Sequence, residues 1–282
     1  MRVKLQDLLR QGEIVLKERK IEQYRNDAYC LLHKHFNVSR AQVLLSQEQD
    51  YPEALVLAYW ADIRARGERR PLQHLLGSWE FMGLSFIVNP NVLIPRPETE
   101  WLVEYVLAHY QGKPVRVLDL CTGSGCIGLS IKKLLPESQV TLVDISDLAL
   151  EVARENSEAL GAAVKIEKWD ILQGVPFYLE KERYDLVISN PPYIKTEELP
   201  TLQPEVREEP AIALDGGQDG LLYYRALAGE WSALLKPGGE MLVETGEDTG
   251  AQVLALFEQH LAACALYPDY AGLPRYVTGR KE

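Results

Sequence analysis

Two hydrophobic periods follow one another along this chain. Up to about residue 70 the apolar positions recur at three- and four-residue steps. Leu5, Leu8, Leu9 and Leu16 form one stripe, and Ala28, Leu31, Leu32 and Phe36 form a second. A third helix opens at Pro52-Glu53, carries Leu55, Leu57, Ala58, Trp60 and Ile63, and trails into Arg64, Arg66, Arg69 and Arg70. This is the spacing of amphipathic helices, and basic side chains suit a helix C-terminus through its dipole. Trp79–Phe81 and Leu84–Val88, around Met82-Gly83, then predict a β-hairpin. In Ile94-Pro95-Arg96-Pro97-Glu98-Thr99-Glu100 the prolines exclude a strand interior and start a helix over Glu98–Tyr110, with acids in its first turn.

From Val115 the period changes. Apolar strands are predicted at Val115–Leu120, Gln139–Val143, Val164–Glu167, Tyr184–Ser189, Glu240–Glu244, Cys264–Tyr267 and Arg275–Thr278. Helices are predicted between them at Cys126–Leu135, Leu148–Leu160, Leu221–Leu235 and Ala251–His260. Strand–helix alternation with buried strands means an α/β fold. The expectation is a doubly wound, mostly parallel seven-stranded sheet with helices on both faces. The last two strands lack an intervening helix and predict an antiparallel edge hairpin. The chain thus divides into a helical unit over 1–75, a hairpin linker over 76–93 and an α/β unit over 94–282.

Charge sharpens this division. Residues 1–70 carry 13 basic and 10 acidic side chains, and the rest carry 17 and 31, within a total of −11 over 282 residues. A chain that grips a phosphate backbone is usually basic. Nucleic acid is therefore not the expected partner. No run of 18 apolar residues exists, so no membrane partner is expected, and the polar start Met1-Arg2-Val3-Lys4 has no signal-peptide core. Cys30, Cys121, Cys126 and Cys264 are scattered, which predicts neither disulfides nor a metal site and suits a reducing cytoplasm.

The first strand–helix turn of the α/β unit reads Asp119-Leu120-Cys121-Thr122-Gly123-Ser124-Gly125-Cys126-Ile127-Gly128. Gly123, Gly125 and Gly128 match the dinucleotide fingerprint, and Asp144 ends the next strand, where an acid binds ribose hydroxyls. Asp119 argues against a dinucleotide. A carboxylate beside the turn would repel a pyrophosphate at the helix N-terminus and favour a ligand with positive charge. S-adenosylmethionine carries an ammonium and a sulfonium there, and a ribose for Asp144. Further on, Asp170 is a candidate acceptor for the adenine amino group or a helix N-cap. Trp169 is a candidate cover for the ring or a packing aromatic.

The fourth strand runs straight into Asn190-Pro191-Pro192-Tyr193. Such a loop suits a planar NH2 acceptor, whose delocalised lone pair makes it a poor nucleophile. The Asn190 side-chain oxygen and the Pro191 carbonyl accept its two N–H groups, Pro192 stiffens the loop, and Tyr193 stacks on the flat group. Catalysis is then mainly positioning plus electrostatics. None of the five histidines falls in these motifs.

Together, Asp119–Gly125 and Asn190–Tyr193 resemble the amino-group methyltransferases. Ile94–Glu100, Glu209-Pro210 through Asp215-Gly216-Gly217, and Ala271–Arg275 narrow the resemblance to the release-factor glutamine methyltransferases (the HemK or PrmC type). It implies a Rossmann-like, S-adenosylmethionine-dependent enzyme that releases S-adenosylhomocysteine. It implies a monomer acting in the cytoplasm on class-1 peptide-chain release factors, whose Gly-Gly-Gln glutamine becomes N5-methylated. The helical unit would recognise the substrate. Asp119, Cys121, Thr122, Gly123, Ser124, Gly125, Asp144, Trp169, Asp170 and Asn190 would bind the donor. Asn190–Tyr193 would hold the amide, with Arg96, Glu98 and Thr99 near the substrate channel. The family often has Gly at Cys121. The alternative is an adenine-N6 methyltransferase of DNA or RNA, since adenine offers the same planar NH2; a donor-binding module without catalysis is a third reading, disfavoured by the intact Asn190–Tyr193 loop. Gly216-Gly217-Gln218 spells the target tripeptide by chance, inside a glycine turn.

Overall fold

The computed structural model of the chain describes residues 1–282, and its contacts divide them into two units. The first holds Met1–Ser78 together with Gln203–Glu208; the second holds Trp79–Leu202 and Glu209–Glu282.

In the first unit, α1 (Leu5–Glu18), α2 (Tyr24–Phe36), α3 (Arg40–Leu44), α4 (Glu53–Gly67) and α5 (Leu72–Leu76) accompany a short antiparallel ladder of β1 (Arg2–Val3) and β2 (Gln49–Asp50). The predicted stripes meet in one core: Leu5, Leu8 and Leu16 of α1 pack with Leu31 and Leu32 of α2 and with Tyr59 and Ile63 of α4. The arginines at the end of α4 do more than answer the helix dipole. Arg66 is buried; its Nε donates to Asp27 at 2.8 Å and its Nη1 to Glu205 at 3.0 Å. Arg69 Nη1 donates to Glu205 as well, at 3.2 Å. The two guanidinium groups thus hold a segment more than 130 residues away in sequence, through charge-assisted bonds that sequence spacing does not reveal.

The second unit opens with the hairpin β3 (Ser78–Phe81) and β4 (Leu84–Ile87), then α6 (Glu100–Tyr110). The main sheet follows, with β5 (Arg116–Leu120), α7 (Cys126–Leu134), β6 (Gln139–Asp144), α8 (Asp147–Leu160), β7 (Lys165–Lys168), β8 (Tyr184–Ser189), α9 (Leu222–Gly229), β9 (Leu235–Glu244), α10 (Gly250–Phe257), β10 (Ala262–Pro268) and β11 (Pro274–Arg280). Its seven strands run in the order β10-β11-β9-β8-β5-β6-β7. The four pairings from β9 to β7 are parallel, and β11 joins β9 and β10 antiparallel, as the pattern predicts. Period two sorts each strand between two cores. Val117, Leu186, Leu242 and Tyr276 face α6 and α7, while Leu118, Val187, Val243 and Val277 face α9 and α10.

Three details depart from the sequence expectation. The hairpin read as a linker packs Phe81 and Phe86 into the core with Leu102 and Val103 of α6, so burial makes it part of the second unit. The helix expected over Leu221–Leu235 stops at Gly229 and continues as a single 3-10 turn, Trp231–Leu234. That break lets the fully buried Trp231 reach the core and donate its indole N–H to the Ile171 carbonyl at 3.0 Å. The strand expected from Glu240 begins earlier, at Leu235, and bulges: Tyr184 pairs with Leu235 but Leu186 with Glu240, leaving Lys236-Pro237-Gly238-Gly239 as the extra loop.

One buried side chain ties the hairpin to the sheet. Asn156 of α8 accepts from the Ile87 N–H at 2.6 Å, and donates to the Ile87 carbonyl at 3.1 Å and the Ser124 carbonyl at 2.9 Å. Asn156→Ala leaves one buried and two half-buried backbone groups unpaired, at up to about 1–3 kcal/mol each before relaxation. The expected loss is about 2–3 kcal/mol in denaturant unfolding of the second unit. An unfolding midpoint equal to that of the wild type would contradict it.

Candidate active site

The parallel strands all end on one edge of the sheet. The chain leaves β5 toward β6 and β7 on one side, and later returns to β8 and β9 on the other. That reversal opens a crevice at the carboxyl end of β5, the usual ligand position in such sheets. A cleft of about 630 Å³, its open mouth included, lies there. Its wall brings together Cys121 and Gly123 after β5, Asp144 at the end of β6, Trp169 and Asp170 after β7, and Asn190 and Pro192 after β8. Seven of the residues predicted from four separate stretches of sequence thus share one cavity.

The turn after β5 is built for close approach. Gly123 has φ +56° and opens onto empty space, with no atom within 4 Å of where a Cβ would stand. Cys121, at φ +58°, occupies the left-handed region that glycine takes most readily, which accounts for glycine being frequent at this position. Gly128 serves packing: a Cβ there would run into Leu142 and the Asp119 carboxylate. Asp144 accepts from the Gly123 N–H with one oxygen and from the Ser146 N–H with the other, both at 2.9 Å. It stands on the cleft wall with lone pairs still available. Burial raises its pKa and the backbone bonds hold it down in part.

Asp119 does not meet the cleft. Strand alternation turns it to the face that α7 covers, where it is fully buried. One oxygen, Oδ2, accepts from Thr122 Oγ1 at 2.6 Å and from the Gly128 N–H at 3.0 Å. Burial carries its pKa up to about 7, against the pull of those two hydrogen bonds. The expectation that it would lie against a cationic ligand is corrected: it braces the turn from beneath. Thr122 and Ser124 are likewise buried, and Gly125 packs on Leu129 and Leu142, so none of the three is on the cleft wall. Asp170 caps the short turn Ile171–Gln173 through Leu172 N–H at 2.9 Å, and Trp169 donates its indole N–H to the Gly174 carbonyl at 2.7 Å. Both still line the cleft.

The Asn190–Tyr193 loop stands between two hollows. Asn190 and Pro192 face the cleft, while Tyr193 lines a second depression with Arg275, Glu198 and Asp248. The loop is clamped by the glycine run that follows it in sequence. Ile194 N–H donates to the Leu214 carbonyl at 2.9 Å, and Gly216 N–H to the Ile194 carbonyl at 2.7 Å. A Cβ on Gly216 would stand 2.6 Å from Tyr193 Cα, and one on Gly220 2.6 Å from the Tyr193 carbonyl oxygen. Gly216 and Gly220 are therefore glycines for a packing reason.

Of the residues expected near a substrate channel, Arg96 is paired with the buried Glu209 at 2.5 Å. Glu98 is exposed and its carbonyl accepts from Tyr276 Oη at 2.6 Å. Neither reaches the cleft wall. Thr99 is buried directly behind Asn190. Its Oγ1 accepts from Asn190 Nδ2 at 3.1 Å and donates to Glu244 Oε2 at 2.7 Å. Glu244 escaped the sequence reading. The available signal was an acid closing an apolar strand, as Asp144 does.

Comparison with known proteins identifies the family. The family model "Methyltransferase small domain" matches residues 97–214, and "PrmC N-terminal domain" matches residues 7–77. A methyltransferase from Pyrococcus furiosus shares the fold, with a TM-score of 0.53 at 19% identity over 71% of this chain and 90% of that one. The release factor glutamine methyltransferase of Clostridium acetobutylicum is 38% identical over 281 residues, 98% of each chain. That of Bordetella pertussis is 41% identical over 260 residues, 90% of this chain and 94% of its own. Both units are covered by these alignments, and on that likeness the chain belongs to the release factor glutamine methyltransferase family.

Proposed function

We propose that this protein transfers a methyl group from S-adenosylmethionine to the side-chain amide nitrogen, N5, of the glutamine in the Gly-Gly-Gln motif of class-1 peptide-chain release factors. Relatives that match both units over nearly their whole length carry that activity in their names, which favours the glutamine amide over an adenine amino group. The observation that carries the reading is the orientation of Asn190. Its NH2 is taken by Thr99, so its Oδ1 is left as an acceptor on the side of the cleft, where a planar N–H donor is expected.

The cleft residues fit the donor. Gly123 leaves room at the turn, Asp144 offers oxygens to a ribose diol, and Trp169 and Ile171 supply apolar wall beside Asp170 for an adenine. Bound S-adenosylmethionine supplies a methyl already activated on a sulfonium. The protein's own work is to orient the acceptor. Asn190 Oδ1 and the Pro191 carbonyl hold the two amide N–H groups, and the lone pair is turned toward the methyl. Two prolines and the Gly216–Gly220 clamp keep both oxygens fixed, so little reorganisation remains at the moment of transfer. No histidine lies on the cleft wall. The depression beside Tyr193 is the place for the rest of the substrate loop. No helix is long and apolar enough to cross a membrane, and a release-factor substrate places the reaction in the cytoplasm.

Incubation of purified release factor with donor, followed by mass spectrometry of its Gly-Gly-Gln peptide, tests the reading; label appearing in an oligonucleotide and not in that peptide would refute it. Asn190→Ala is expected to lower turnover by about 10²- to 10³-fold, with donor affinity nearly kept; unchanged turnover removes its proposed role. Asp144→Ala is expected to weaken donor binding by about 10- to 100-fold, the worth of a charge-assisted hydrogen bond. Isothermal titration reads this directly. Gly216→Ala displaces the loop and is expected to lower turnover by about 10²-fold while the donor still binds, which stopped-flow methylation alongside the same titration would show.

A further inference from the structure

Register puts a buried carboxylate beside the loop. Ser189 of β8 pairs with Val243 of β9, so the next residues, Asn190 and Glu244, stand side by side at the sheet edge. Thr99 bridges them from the segment before α6. Thr99 and Glu244 are each 2% exposed, which leaves no room for solvent to compete. A threonine hydroxyl has one proton and two lone pairs. A carboxylate at Glu244 accepts that proton, so Thr99 can offer Asn190 only a lone pair. Only the NH2 end of the Asn190 amide fits a lone pair. The chain of bonds therefore fixes which end of the amide meets the cleft.

We propose that Glu244 is a positioning residue for methyl transfer: acting through Thr99, its carboxylate holds the Asn190 amide with Oδ1 toward the substrate nitrogen. The inference rests on the methyl-transfer reading above and adds a device that the Asn-Pro-Pro-Tyr motif does not contain. It also has a pH signature. Burial raises the Glu244 pKa to about 7; the Thr99 bond, Arg275 of β11 and Arg96 pull it down, and Glu98 pushes it up. Tyr193, Tyr224 of α9, Tyr276 of β11 and Cys126 of α7 complete its ionisable surroundings. Protonated, Glu244 becomes a donor. The Thr99 hydroxyl then reverses toward Asn190, the amide turns over, and its NH2 faces the N–H groups of the substrate. The ionised form is the productive one, so turnover rises with pH through the Glu244 ionisation.

The test is single-turnover methylation of release factor at saturating donor, from mildly acidic to mildly alkaline pH, for the wild type and for Glu244→Gln, Thr99→Val and Thr99→Ser. The wild type is expected to show one ionisation near the value of about 7. Glu244→Gln, which has no proton to lose, is expected to be flat through that range. Thr99→Val is expected to lose the step and about 10- to 100-fold in rate, with donor affinity within about twofold by titration. Thr99→Ser, which restores the hydroxyl, is expected to recover most of that loss and the step. Wild-type rates and a retained pH step in both Thr99→Val and Glu244→Gln overturn the inference and leave the reading standing. A wild type that binds donor yet leaves the release-factor glutamine unmethylated at every pH overturns the reading, and the inference with it.

Discussion

Two carboxylates hold the glycine turn shut, and the rest of the site is arranged around that constraint. Asp119 and Asp144 stand at the ends of neighbouring parallel strands, one beneath the turn and one on its open side. Between them they accept the backbone N–H groups of Gly128 and Gly123. Such bonds to a charged acceptor contribute about 1.5–3 kcal/mol each, and they replace capping that a turn made of glycines does not provide for itself. The cost is a pair of buried acids with raised pKa values. The return is a backbone that approaches the cleft without a side chain in the way.

The same principle recurs on the other side of the switch point. Glu244 closes β9 as Asp144 closes β6, but unlike Asp144 it bonds a neighbouring hydroxyl and is not on the cleft wall. Three acids at strand ends thus serve local geometry first. What faces the cleft is the glycine turn, the Asn190 amide, apolar wall and the two carboxylates Asp144 and Asp170. That composition suits chemistry in which the reacting carbon arrives already activated and the protein contributes alignment.

Rigidity of the acceptor loop comes from parts far apart in the chain. Thr99 lies 91 residues before Asn190, and Gly216 and Gly220 follow it at a distance. Asn156, buried in α8, fixes the hairpin and the glycine turn at once. Each of these residues touches a site motif from a remote part of the chain and limits how far it can move. The arginine pair of α4 plays the corresponding part in the first unit, where it gathers Glu205 to the helices.

The sequence by itself determined the architecture, because periodicity is a local property: a strand two residues in period and buried on both faces reads the same wherever it packs. It also determined the loop and the turn, since prolines after an asparagine and glycines after a strand restrict backbone angles regardless of context. It failed for side chains whose role depends on a partner remote in the chain. Asp119 reads from sequence as an acid beside the turn, and only the fold of α7 over β5 sends it beneath. Thr99 reads as part of a proline-rich entry to a helix, and only strand register sets Glu244 behind it. A hydrogen bond is decided by position in space, and position in space is fixed by tertiary packing rather than by neighbours in the chain.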